Sequence, residues 1–174
     1  MKNMNKFVND ERYSAPLVKD GRKLMGFFTY GTNEERTLYN DWHHPDKNGK
    51  ADCSSFVWLV MKRCGYNVGD TPFSTPEMEE DAKKNHVFFK KILAKNVKPG
   101  DVVIVNEGVG YGSNGHTAII DGHYRGRHTQ IIEIGGIKPN GPVHRSVIGE
   151  SFASLLKAGR ITYARPVKNN WKNS

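Results

Sequence analysis

The sequence predicts an α+β fold with helices packed on a central antiparallel sheet. Three observations carry this. An apolar helix signal, Phe56 to Met61, follows a polar start at Asp52, and a succession of short β-rich segments comes after Lys98-Pro99-Gly100. A helix followed by consecutive strands is the pattern of α+β proteins. The length of 174 residues, with 37% hydrophobic content, suffices for one domain with a real core and not comfortably for two.

The elements follow in order. Residues 14–28 are expected to hold a helix interrupted at Gly21 and Gly26, and residues 33–38 a second short one. Residues 1–38 then form a helical extension packed on the same domain, residues 39–167 the core, and residues 168–174 a flexible tail. A polar stretch rich in turn formers, residues 41–51, leads to Asp52, whose carboxylate can cap a helix starting at Cys53. That helix runs through Arg63 and stops at Cys64 or Gly65, since glycine readily takes the left-handed conformation that ends helices. Thr75-Pro76 opens another, with Glu77, Glu79 and Glu80 in the positive first turn and an end near Asn85. Strands are expected over residues 101–105, 116–121, 129–134, 143–148 and 160–167, with a short helix over residues 151–156.

Cys53 is the chemically distinctive residue. In the first turn of a helix, the dipole and free backbone amides stabilise a thiolate, and a neighbouring imidazolium would do so further. Polar Asp52, Ser54 and Ser55 surround it. Cys64 instead reads as a core thiol. Eleven residues along one helix place the two Cα atoms about 16 Å apart, and a disulfide needs less than about 7 Å.

A thiol nucleophile needs a base, and the base needs an orienting group. His116 opens a strand directly after the glycine-rich stretch 108–115, so its ring can face a cleft while Ala118 and Ile120 pack on the same face. If His116 lies opposite Glu133 in a hairpin, Ile120 lies opposite Thr129, and the carboxylate can hold the imidazole tautomer. His128 is too far along the strand, roughly 16 Å from His116 at the usual rise. A one-residue slip would turn Glu133 to the other face. Cys53, His116 and Glu133 together point to a cysteine hydrolase.

Other signals carry less. The spacing of Gly110, Gly112 and Gly115 fits a dinucleotide loop, yet a strand follows it and no helix terminus is there to hold a pyrophosphate. Asp46, Asn48 and Asp52 echo a calcium loop without its closing glutamate. His43-His44 and the pair His123, His128 lack zinc-ligand spacing.

The ordered motifs Asp52-Cys53-Ser54-Ser55, Pro99-Gly100-Asp101, Gly115-His116-Thr117-Ala118 and Ile131-Ile132-Glu133 resemble those of the NlpC-like superfamily of papain-related peptidoglycan hydrolases. The double serine is most similar to the bacteriophage-type amidohydrolase branch, as is the segment from Ser74 to Met78. The resemblance covers residues 39–136. It implies a papain-like core with Cys53 as nucleophile, His116 as general base and then acid, and Glu133 as the orienting residue, where many relatives carry a histidine. It further implies that Tyr39 lines the oxyanion or substrate-amine site and that Asp52 and Ser54 flank the substrate cleft. The implied reaction is hydrolysis of an amide in the peptide part of bacterial cell wall through a thioacyl-enzyme, with no metal or cofactor, by a monomer acting outside the cell.

With 26 basic against 18 acidic residues the net charge is +8, which suits an anionic polymer such as a wall teichoic acid. No nucleic-acid-binding signature accompanies it. No run approaches the roughly 18 apolar residues of a membrane span, and residues 1–10 lack the apolar stretch of a signal peptide. The expectation is therefore a chain made in the cytosol, exported by another route, or stripped of its leader. A protease or acyltransferase on the same scaffold and a noncatalytic basic wall-binding module are the rival readings. Which amide is cut is open.

Overall fold

The computed structural model describes residues 15–109 and 114–168. Most of the expected tail, the first fourteen residues of the expected extension and the centre of the 110–115 glycine motif lie outside the described residues.

Helix α1 (Pro16–Lys23) starts on a proline, whose missing N–H costs nothing at a helix start. Gly21 does not interrupt it. A Cβ there would stand 3.3 Å from Ile132 Cδ1, so the glycine lets α1 sit close on the sheet. Strand β1 (Thr29–Tyr30) pairs in parallel with β2 (Lys50–Ala51), Tyr30 against Ala51, with a 3-10 turn over Asn33–Thr37 between them.

Helix α2 (Cys53–Arg63) has the expected bounds. Asp52 Oδ1 accepts from the Ser55 N–H at 2.8 Å, and Ser55 Oγ accepts from the Asp52 N–H at 2.9 Å. This reciprocal capping box satisfies two orphan donors at once. Every residue from Cys53 to Met61 is buried, so α2 is the central helix of the molecule. Burying each of its large apolar side chains, Phe56, Leu59 and Met61 among them, contributes about 1.5–3 kcal/mol.

Helix α3 (Thr75–Glu80) starts on a Ser74/Glu77 capping box and continues as a π-helical turn, Asp81–Asn85, ending at left-handed His86. The Asp81 carboxylate accepts from the N–H groups of Val87, Phe88 and Phe89 at 2.8–2.9 Å. It thereby turns the chain into β3 (Phe89–Ile92), a strand the sequence does not announce. Lys90 and Lys91 are exposed and only Phe89 is fully buried, so neither an apolar run nor a clean alternation is present.

The remaining strands are β4 (Val102–Glu107), β5 (Asn114–Ile120), β6 (Gln130–Glu133), β7 (His144–Val147) and β8 (Arg160–Pro166). Helix α4 (Ile148–Ser151) precedes a 3-10 turn, Leu155–Lys157, in place of the single helix expected over 151–156. The six strands form an antiparallel sheet ordered β3-β8-β4-β5-β6-β7. Alternation along β4 feeds two cores. Val102 and Ile104 join Ile119, Ile132, α1 and α2, whereas Val103 and Val105 join Ile120, Ile131, Ile148, Phe152 and Leu155. Among the described residues no helix is long and apolar enough to cross a membrane.

Where β5 begins, α3 presses on the sheet. Asn106 Nδ2 donates to the Thr75 carbonyl at 3.0 Å and to Glu79 Oε1 at 2.9 Å. A Cβ at Gly115 would collide with Asn106 Oδ1 and Thr75 Oγ1. Gly115→Ala is expected to lower stability by about 1–3 kcal/mol through overpacking, read as a lower urea midpoint at unchanged slope.

Candidate active site

The β1–β2 pairing and the α2 cap together build one wall of the site. Cys53, 6% exposed, opens α2, and Tyr30 on β1 is carried beside it because Tyr30 pairs with Ala51. The Tyr30 hydroxyl lies within hydrogen-bonding reach of both the Cys53 thiol and the Cys53 backbone N–H. Burial, then the charges of Cys53 and Asp52, raise the Tyr30 pKa, so the phenol stays a donor.

The other wall comes from the sheet. The β5–β6 register sets Ile119 against Ile132 and Ile120 against Ile131, two residues away from the hairpin expected from the sequence. An even displacement preserves the face. Glu133 therefore still shares a face with His116, and reaches it diagonally at 2.7 Å from Oε1 to Nε2. With Nε2 engaged by the carboxylate, Nδ1 is the ring nitrogen left for the thiol, which lies within hydrogen-bonding reach of the ring. The His116 ring rests on Phe152, centroids 4.7 Å apart. Gly135 leaves it space: a Cβ there would stand 3.4 Å from His116 Cε1 and 2.9 Å from Tyr30 Cε2.

Burial alone would lower the His116 pKa, but hydrogen bonds to Cys53 and Glu133 and the charges of both outweigh it and push the pKa up to about 9. Burial works to raise that of Glu133. Hydrogen bonds from His116 and His144 prevail and hold it at about 2. The pair is thus an imidazolium and a carboxylate across the middle pH range, with the Cys53 sulfur beside it.

A cleft of 930 Å³ opens over Cys53, lined by Tyr30, Cys53, Ser54, Ser74, Thr75 and Gly115 among others. The segment from Ser74 onward therefore forms a wall of the cleft. Asp52 and Ser54 flank it too, with their polar atoms already engaged. Arg36 donates to Asp52 Oδ2 at 2.9 Å, Ser54 Oγ at 2.8 Å and the carbonyls of Pro72 and Phe73 at 3.0 and 2.6 Å. Tyr39 is not among the residues that line this cleft. It is 5% exposed, packs on Phe28 at 5.6 Å and lines an adjoining cavity of 640 Å³. Its carbonyl is pinned by the N–H groups of Asp41 and Asp46, and Tyr30 takes the place beside Cys53.

Sequence reasoning missed Tyr30, Arg36 and His144. A two-residue parallel ladder has no periodic signature, so nothing announces Tyr30. His144 and Ser146 offered a weak signal, since they alternate as polar residues in an expected strand.

The histidine pairs weighed for zinc lie apart from this cleft. His43 and His44 are exposed and His43 stacks on Trp42 at 3.5 Å. Among the described residues no group of three or more His, Cys, Asp or Glu side chains is placed to hold a metal ion.

The model of the NlpC/P60 family matches residues 27–145, a span containing Tyr30, Cys53, His116, Glu133 and His144. No curated protein matches the chain.

The linked protonation of the His116–Glu133 pair sets a stability window. His116 holds its proton more tightly folded, at about 9 against an ordinary 6.5, so its contribution is complete below pH 6.5 and is lost as pH rises through 9. Glu133, at about 2 against 4.5, contributes fully above pH 4.5 and loses its share as pH falls through 2. Urea midpoints should be greatest between these limits. In His116→Gln the fall assigned to His116 should vanish, as paired denaturation series from pH 6 to 9 will show.

Proposed function

Because the chain belongs to the NlpC/P60 family, we propose that it is a peptidoglycan hydrolase, a cysteine enzyme that cuts an amide bond in the peptide moiety of the bacterial cell wall. The observation that carries this reading is the convergence of the Cys53 thiol, the His116 ring and the buried Glu133 carboxylate under an open cleft.

In this mechanism His116 Nδ1 already holds the proton that the Cys53 sulfur has given up, and the sulfur attacks the amide carbonyl. The oxyanion of the tetrahedral intermediate is met by the Cys53 N–H and the Tyr30 O–H, both already beside the sulfur. His116 then protonates the departing amine and leaves a thioester. Water, giving its proton to His116, attacks the thioester, releasing the carboxylic acid and restoring the thiol. Glu133 keeps Nε2 protonated and the ring turned, so that Nδ1 faces the sulfur throughout. Asp52 and Ser54, braced by Arg36, form the adjoining part of the substrate wall.

Within the family we place the chain nearest the bacteriophage-type amidohydrolases, on the strength of Asp52-Cys53-Ser54-Ser55. It works as a monomer at the wall, outside the cell. The net charge of +8 favours approach to anionic wall polymers. The bond is either that joining muramic acid to L-Ala or one inside the peptide.

Cys53→Ala should reduce clearing of purified Gram-positive walls to the level of buffer; clearing at the wild-type rate would overturn the proposal. Mass spectrometry of defined muropeptides separates the two bonds, since an amidase frees the lactyl group and an endopeptidase creates a new amino-acid terminus. Tyr30→Phe, which removes one oxyanion donor, should lower kcat on the order of 10²-fold with little change in KM.

A further inference from the structure

His116 occupies only one oxygen of Glu133. The other, Oε2, accepts from His144 Nε2 at 2.8 Å, from Ser146 Oγ at 2.7 Å and from Ser151 Oγ. The two serine oxygens are 2.6 Å apart. Glu133 is fully buried and His144 is 4% exposed, so both are shielded from bulk solvent.

The second nitrogen of His144 decides its state. Nδ1 lies 2.7 Å from the Pro142 carbonyl oxygen, which can only accept. Nδ1 therefore bears hydrogen. An ionised carboxylate likewise only accepts, so Nε2 bears hydrogen as well. The alternative arrangement has a neutral His144 accepting from a protonated Glu133. That proton would have to sit on Oε2, the oxygen that already receives both serine hydroxyls.

Resting on the cysteine-hydrolase reading above, we propose that His144 is a positioning residue, protonated on both nitrogens, that clamps Glu133 from the side opposite His116 and balances its charge. Glu133 then serves two histidines, and its pull on His116 is weaker than that of a lone carboxylate. The other titratable groups at this site are Cys53 and Asp52 at the start of α2, and Tyr30 on β1. Arg145, next along β7, is paired with Asp121 at 3.0 Å, and Glu150 on α4 is exposed.

His144→Gln keeps a side-chain donor and removes the charge. Glu133 would then act on His116 uncompensated, and His116 would keep its proton to higher pH. The alkaline limb of the wall-hydrolysis rate should move up by about one pH unit, with a fall in kcat at the optimum. A residue that only braces the fold would lower the rate without moving that limb. An unmoved limb, or one displaced downward, would overturn the inference. If the variant does not fold, nitrogen NMR of the full wild-type chain with ring-labelled histidine, assigned through the His144 side chain at pH 7, reads the same point. Two protonated ring nitrogens are expected, and one bare nitrogen refutes it. Wild-type protein that hydrolyses no wall would instead sink the cysteine-hydrolase reading, which keeps the two failures distinct.

Discussion

A carboxylate without access to water governs this molecule. Leaving Glu133 buried and unmatched would cost several kcal/mol, so the sheet delivers donors to it from three elements: His116 on β5, His144 and Ser146 on β7, and Ser151 on α4. Those contacts pin the ends of β5, β6 and β7 to one another and to α4. Even the following loop is shaped by it. A Cβ at Gly136, which has φ +63°, would stand 2.6 Å from both carboxylate oxygens. The same constraint that holds the strand ends together is the one that aims the His116 ring.

The opposite wall obeys a second rule, the satisfaction of a helix start. α2 is buried from its first residue, so its leading amides have no solvent to fall back on. Asp52 and Ser55 meet two of these needs, and the Tyr30 hydroxyl stands beside the Cys53 N–H. Donors gathered to close a helix are thus the donors that stand next to the sulfur. In the proposed mechanism structural need and chemical use coincide there.

Much of this was legible in the chain. A capping residue before an apolar run located α2, and the β-branched segments located β4, β5 and β6, because both signals come from local physics that tertiary packing reinforced. The hairpin register was misplaced by two residues. The connection after Asp121 contains a 3-10 turn over Gly126–His128, which loop composition does not encode, yet the twofold period of a strand kept Glu133 and His116 on one face. Strand β3 was missed because its place is set by Asp81 reaching forward to three amides, a contact with no sequence period. Tyr30 and Arg36 were hidden for a related reason, since each meets the site through chain segments brought together only by folding.

Arg36 gives the cleft an unusual electrical character for so basic a protein. Four hydrogen bonds hold its guanidinium against Asp52, Ser54 and two carbonyls, so that part of the rim carries a cation and an anion already cancelled at contact distance. Ionic strength acts on fields that extend beyond about 8–10 Å, and a closed pair projects little that far. If the proposed function holds, the encounter with a polyanionic surface and the seating of a peptide over the sulfur are consequently decoupled: dissolved salt attenuates the first and leaves the second nearly untouched.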